Sequence, residues 1–425
     1  MNYRELAAIQ EEYIIACRRH LHRHPELSDV EENTVAFICG ELEKDGIPFV
    51  NVPKGGVFAF LGDEARGRTV LLRADIDALP IRESRTNGGG REKQVLSETD
   101  GVAHMCGHDC HTAILLGAAR ALKEIEASLN GRVVLMFERG EENSNNLFYL
   151  LRWIDENRLH IDSSFGLHVD PNYETGTICV QPENVNAGFI RFDVKIIGKS
   201  AHGSAPYLGH SPVDCYHAVY DGIQGLRMKY ANPFDPMTFS IGTIHAGSAY
   251  NIVPGELSFS GSFRHFNFPD SRHLKEKMIE LIDKTCEIYD CRAEYTIVGP
   301  TLPLKNDPVC SGYTTQIFRR DLGPGVPVSG QASMGSESHA LTSKLYPGVY
   351  VRLGVRSEAA GMTAPTHNEC FEPDENALAL GCAAHLCYAV NFLKDGPDTS
   401  DRVFTGSIKD AFALYREEAL NIYND

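Results

Sequence analysis

Three observations predict an α/β fold built on a mostly parallel sheet with a small α+β domain inserted into it. Strand and helix patterns alternate through the first part of the chain, the style changes to alternating strands from about Gly188, and the first style resumes after about residue 300. The boundaries read as 1–186 together with 300–425 for the discontinuous larger domain, and 187–299 for the insert. A chain of 425 residues is too long for one comfortable hydrophobic core, so two domains also follow from length.

In chain order, helical periodicity covers roughly 3–23 and 30–45, followed by strands at "VFAFLG" and "TVLLRADI". A charged, Gly-rich loop, "SRTNGGGREKQ", separates these from "HMCGHDCH" (104–111), which leads into the small-residue helix "HTAILLGAARALKEI". The strand "GRVVLMFE", the helix "NLFYLLRWIDEN" and the strand "SSFGLHV" complete the first stretch. In the insert, "FIRFDVKIIG", "MTFSIGTIHAG", "ELSFSGSFRHF" and "CRAEYTIVG" read as strands, with helices near 211–228 and 271–288. Beyond it come the strand "GVYVRLG", the long helix "ENALALGCAAHLCYAVNFL" and a last helix over "SIKDAFALYREEALNIYND".

Composition removes several function classes. A formal net charge of −17 makes nucleic acid and anionic membrane poor partners, because both ask for a basic surface. No run of about 18 apolar residues suggests a bilayer span. Arg4, Glu5, Glu11 and Glu12 interrupt the start where a signal peptide needs an apolar core, so a cytoplasmic protein is expected. The 12 cysteines are scattered, and Cys17, Cys39, Cys179, Cys215, Cys382 and Cys387 lie in apolar segments, where buried reduced thiols are the natural reading.

An open α/β sheet presents ligands at its strand ends, so polar groups there carry the functional signal. Asp75 and Asp77 close "LLRADIDALP"; Glu138, Glu141 and Glu142 follow "VVLMF"; His168 closes "SSFGLHV". Cys106 and His108 stand just before a helix, and His367 in "PTHNECF" reaches the same edge. Thiolate, imidazole and carboxylate suit borderline ions such as Zn²⁺ or Mn²⁺, and a thiolate can bridge two of them. Two such ions lower the pKa of a shared water and polarise a carbonyl. Vicinal glutamates point different ways, so one can bind metal while the other takes the water's proton. A lone "CGH" is weak; the conjunction of five candidate ligands at strand ends is what favours a metal centre. No nucleophile elbow or phosphate loop is present, Cys106 and Cys110 lack C-x-x-C spacing, and a closed structural zinc site has no use for a spare base.

With "LLRADIDALPI", "GVAHMCGHDCHTA", the "EE" after a strand, "FGLHV", "SAHGSAP", "AYNIVP", "MGSES" and "THNECFEPDENALALG" in order, the chain resembles the amidohydrolase branch of the aminoacylase/carboxypeptidase metallopeptidases. That branch includes hippurate hydrolases, N-acyl-amino-acid deacylases and plant auxin–amino acid conjugate hydrolases. The resemblance runs from about Arg18 to Ala383 and implies a zinc-exopeptidase-like catalytic domain with a ferredoxin-like lid and dimerisation insert. It implies two divalent ions per chain, Mn²⁺ foremost and Zn²⁺, Co²⁺ or Ni²⁺ also acceptable to such ligands. Cys106 would bridge, His108 and His168 would complete one position, and Glu142 and His367 the other. Glu141 would be the general base toward a metal-bound water, and Asp77 would orient a neighbouring ligand. His202 would stabilise the oxyanion, in some relatives from a neighbouring subunit, while Asn251 and Arg264 would grip a substrate carboxylate. The implied reaction is hydrolysis of N-acyl amino acids or similar conjugates, by a homodimer or higher oligomer. A dipeptidase or aminopeptidase on the same scaffold, and a noncatalytic metal-dependent binding protein, are the alternatives.

The chain departs from the family pattern in three places. Glu138, Arg139 and Gly140 replace Gln-Pro-Ala before the paired glutamates, which places an extra carboxylate and an arginine beside the base and would alter the pocket's charge. Cys110 replaces a glycine, as a filler or an oxidation liability. Ser338 and His339 replace an acidic-aromatic pair after Glu337, which leaves the acyl-pocket contacts there open.

Overall fold

The computed structural model describes residues 1–142 and 146–415. Its larger sheet is mixed. Four central strands, Gly131–Glu138, Arg68–Asp75, Ser163–Glu174 and Gly348–Arg356, lie side by side and run parallel. Gly56–Gly62 and Phe49–Val52 extend one edge antiparallel, and Ile178–Cys179 with Pro327–Val328 extends the other.

The central strands are apolar almost without alternation because both faces are covered. On one face Val57, Leu72, Leu135 and Phe137 pack with the helices Glu11–Arg23, His108–Glu124 and Leu378–Asp395. On the other, Phe58, Leu71, Val134 and Met136 meet the helices Leu147–Glu156, His339–Leu345 and Ile408–Tyr415. The stretch Glu375–Asp395 is, contrary to the reading from the sequence, long and apolar enough to cross a membrane, but 83% of its most apolar window is buried inside the protein. Its hydropathy is that of a core helix.

Between Gly188 and Val298 the chain forms a second, four-stranded antiparallel sheet. The order along the chain is strand, helix, strand, strand, helix, strand, a split βαβ arrangement. The helices Pro212–Tyr230 and Phe268–Ile288 pack together over it, burying Phe192, Val219, Phe259, Phe263, Met278 and Ile282.

Several elements differ from expectation. The first helix is two, Tyr3–Ile9 and Glu11–Arg23, broken at Gln10. Pro308–Asp321 is a helix that periodicity did not suggest, although Asp307 caps it by accepting from Cys310 N–H (2.8 Å) and Pro308 opens its first turn. The last helix is described from Ile408 to Tyr415, and the rest of that expected element lies outside the described residues.

Candidate metal centre

The parallel register places Asp75 beside Glu138, and His168 lies on the neighbouring strand, so three chain segments deliver polar groups to one sheet edge. The helix His108–Glu124 begins at the same edge. Its preceding residue, Gly107, has φ 90°, and a Cβ there would come within 2.3 Å of Val169 Cγ2, so only glycine admits this helix start.

Asp77 organises the centre. Its Oδ1 accepts from His108 Nδ1–H (3.0 Å), and its Oδ2 accepts from Ser28 Oγ–H (2.6 Å) and from Glu142 N–H (3.0 Å). Burial acts to raise its pKa, but these bonds, led by His108, hold it below the usual carboxylate range. With Nδ1 committed, His108 turns Nε2 inward, where it is buried and has no hydrogen-bond partner; Glu142 Oε1, 3.8 Å away, is likewise buried. His168 is fixed in the same sense, its Nδ1–H donating to Val169 O (2.6 Å) while Nε2 lies 3.4 Å from Cys106 Sγ. His367 closes the group, with Nε2 3.2 Å from both Cys106 Sγ and Glu142 Oε1. Its loop is tied back by His367 N–H donating to Met105 O (2.7 Å).

Two donor sets therefore share the thiol: Cys106 with His108 and His168, and Cys106 with Glu142 and His367, each within 4.8 Å of one another. Buried acceptors facing each other across a thiol fit a pair of divalent ions. The electrostatics agree. Burial drives the Cys106 thiol well up, and Glu142 and Glu141 add to it against His108. Burial, then Glu337 and Glu142, drives Glu141 well above the usual carboxylate range. Burial first, then His111, pushes His168 down to about 3. A bound cation reverses the charge logic that keeps the thiol protonated.

A third cluster, Asp75 with His108 and His111, is of a different kind. His111 Nδ1–H donates to Asp75 Oδ1 (2.6 Å) and its Nε2 accepts from Val169 N–H (2.9 Å), so neither ring nitrogen is free. Asp109 is ion-paired with Arg18 (2.9 Å) and bonded to His22 (2.8 Å). Cys110 is fully buried, which makes it a filler and removes its exposure to oxidants.

The "ERGEE" segment corrects one expectation. Arg139 is not directed to Glu141: it turns to Glu31 (2.9 Å) and Glu32 (2.9 Å) at the start of a neighbouring helix, because Glu31 is fully buried and needs a countercharge. Glu138 turns inward to Arg73 (2.7 Å), a buried guanidinium that also meets Asp75 (2.6 Å) and Glu337 (3.1 Å). Glu337 in turn accepts from Tyr350 Oη–H, so the departures after it line a buried polar network. Arg73 was not singled out from sequence, though a lone arginine inside "TVLLRADI" was the signal available. Glu141 Oε1 accepts from Ser338 N–H (2.9 Å), and its neighbour Glu142 faces Cys106 and His367; the two carboxylates nevertheless form a fourth group with His108, their ligand atoms within 4.8 Å of one another.

The remaining candidates lie elsewhere. His202 and Asn251 are exposed on a short ribbon in which His202 pairs with Ile252. His202 Nδ1 is engaged by Ser204, whose N–H donates to it at 3.1 Å, and Asn251 O accepts from Gly203 N–H (2.7 Å). Among the described residues neither touches the donor cluster. Arg264, on the strand Glu256–His265, donates to Ser336 Oγ (3.3 Å) and lies 5.4 Å over the Phe189 ring. No carboxylate pairs with it among the described residues.

The sequence profile of peptidase family M20/M25/M40 matches residues 71–391. The chain is 34% identical over 370 residues to N-acetyl-L-cysteine deacetylase of Bacillus subtilis, covering 87% of this chain and 85% of the relative. It is 30% identical over 387 residues to thermostable carboxypeptidase 2 of Saccharolobus solfataricus (90% and 96%), and 29% over 388 residues to IAA-amino acid hydrolase ILR1-like 4 of Arabidopsis thaliana (90% and 86%). Among solved structures it is similar to a dinuclear metal-binding peptidase of the M20 family from Bacillus subtilis, with TM-score 0.76, 28% identity and 91% and 99% coverage.

Proposed function

The chain belongs to peptidase family M20/M25/M40, a metal-dependent amidohydrolase with two divalent ions, and from that premise we propose that it cleaves N-acyl amino acids with Glu141 as general base. The observation that carries this reading is the buried, unpartnered His108 Nε2 facing Glu142 Oε1, with Glu141 next in the chain and held by Ser338. Cys106, His108 and His168, and Cys106, Glu142 and His367, would hold the two ions, which would supply Lewis-acid polarisation of the scissile carbonyl and acidify the attacking water. Glu141 takes the proton of that water and passes it to the leaving amine nitrogen; a carboxylate whose pKa is driven up suits both halves of the transfer. Asp77 keeps His108 in the tautomer that leaves Nε2 bare.

Mn²⁺ is the ion proposed first; the donor set of thiolate, imidazoles and carboxylate also accepts Zn²⁺, Co²⁺ or Ni²⁺. Residues 187–299 are proposed as a lid and dimerisation unit that carries Arg264 and Asn251 to the substrate's carboxylate and His202 to the oxyanion. Exposed Tyr207, Leu208, Ile244, Tyr250 and Ile252 around the His202 ribbon support a homodimer in which that histidine serves the partner's centre. Twelve free cysteines, nine of them buried, favour a reducing, cytoplasmic compartment.

The test is amine release from N-acetyl, N-benzoyl and indoleacetyl amino acids, beside free dipeptides, using chelated protein refilled with Mn²⁺ or Zn²⁺. Metal-restored turnover of an acylated substrate supports the proposal. Turnover confined to substrates with a free amino terminus would move the assignment to a peptidase.

A further inference from the structure

We propose that Glu138 is a positioning residue for the base, acting through Ser338. This rests on the reading of Glu141 as the base. Glu138 ends the strand Gly131–Glu138 and is 1% exposed. Its two oxygens divide their partners: Oε2 accepts from Arg73 Nε–H (2.7 Å), and Oε1 accepts from Ser338 Oγ–H (2.6 Å). The Ser338 hydroxyl in turn accepts from Arg73 Nη2–H (2.8 Å), so its orientation is set from both sides. The same serine's backbone N–H donates to Glu141 Oε1 (2.9 Å). A rigid strand end and a buried guanidinium thus fix one hydroxyl, and through it the peptide that holds the base.

The loop before the base is anchored too. Gly140 N–H donates to Glu31 Oε1 (2.7 Å) and Glu142 N–H to Asp77 Oδ2 (3.0 Å), so the backbone on either side of Glu141 is tied down. What those two bonds leave undetermined is the side-chain torsion that aims the carboxylate, and the Ser338 N–H commits one oxygen of it. Among the described residues no hydrogen bond engages the other oxygen, which is the one left for proton transfer.

Charge balance alone does not account for Glu138. Arg73 already faces Asp75 and Glu337, and a third buried carboxylate adds desolvation cost beyond what one guanidinium neutralises. Glu337 Oε1 also lies within reach of the Ser338 hydroxyl (3.3 Å), and Glu138, at 2.6 Å, is the nearer of its two carboxylate acceptors.

The experiment compares Ser338→Ala, Glu138→Gln and Ser338→Thr with the parent, all loaded with metal, reading kcat, KM, metal content and Tm, with Glu141→Gln as the reference for a missing base. Ser338→Ala and Glu138→Gln should each lose about tenfold to a hundredfold in kcat, as small misplacements of reacting groups do. KM should stay within about twofold, because the loss falls on the transition state. Both variants should retain two ions per chain and stay folded well above the assay temperature, with some Tm lost from the buried network, and Ser338→Thr, which keeps the hydroxyl, should recover most of kcat. Parent kcat in Ser338→Ala and Glu138→Gln would overturn the proposal, as would a loss of kcat only in step with lost metal or lost fold. Turnover surviving in Glu141→Gln would instead sink the base assignment beneath it.

Discussion

The strand-end cluster and the His202 ribbon differ in how they are held. In the strand-end cluster Asp77 carries three hydrogen bonds, His108 is 1% exposed and Cys106 is common to both donor sets, while His367 reaches them from an exposed turn. On the ribbon, His202 and Asn251 face solvent and bond only to their own loop neighbours. One region is preorganised within a single chain. The other, in the proposed reading, is completed by movement of the insert or by a second subunit. The comparison separates the residues proposed to hold ions from those proposed to meet substrate.

That contrast can be broken in order of expected effect. Glu141→Gln should cut kcat by about 10²–10⁴-fold with two ions still bound, the range lost with a positioned base; ion loss alongside turnover would place Glu141 among the ligands instead. Asp77→Asn should weaken metal affinity by about 10–100-fold, since it disturbs the partner that fixes His108, and competition with a chelator reads this directly. Arg264→Lys should raise KM about tenfold for carboxylate substrates and leave an amide-capped analogue unaffected, because a fork is replaced by a point charge. Equal loss on both substrates would deny Arg264 a carboxylate partner.

Mixing decides whether the ribbon serves its own chain. If His202 acts across a two-fold interface, inactive His202→Ala and inactive Glu141→Gln subunits, exchanged at random, should regain about a quarter of the parent rate. No recovery, with exchange verified by mass, would mean that the histidine acts within its own chain. The smallest effect concerns stability. Burial first, then His111, pushes His385 down to about 3 in the core helix. A histidine neutral in the folded state contributes stability that is intact above its unfolded pKa near 6.5 and is lost as pH falls toward the folded value. Between pH 7 and pH 5 this costs about 2 kcal/mol, and thermal melts of His385→Gln should show a flatter acid limb than the parent.

Legibility followed the same division. Most of the donor set could be read because Cys106 and His108 stand at a helix start and Glu142 follows a strand end, and the parallel alternation that predicts the sheet also predicts which ends share an edge; His168 instead lies inside a strand that continues to Glu174, and His367 reaches in from a turn. Arg139 could not be read, because its direction depends on Glu31, a residue 108 positions earlier that is buried by packing. Arg73 was visible as a charge in an apolar strand, but its three carboxylate partners come from three separate segments.

By itself the sequence determined the α/β class, the insertion and the set of residues at the sheet edge. These depend on local periodicity and on the order of elements, which neighbouring residues encode. Tertiary structure alone decided that His108 Nε2 is bare, that His111 is fully engaged, that Arg139 faces away and that Ser338 couples Glu138 to Glu141. Each of those is a contact between side chains far apart in the chain, and its direction is settled by which buried charge must find a partner when the layers close.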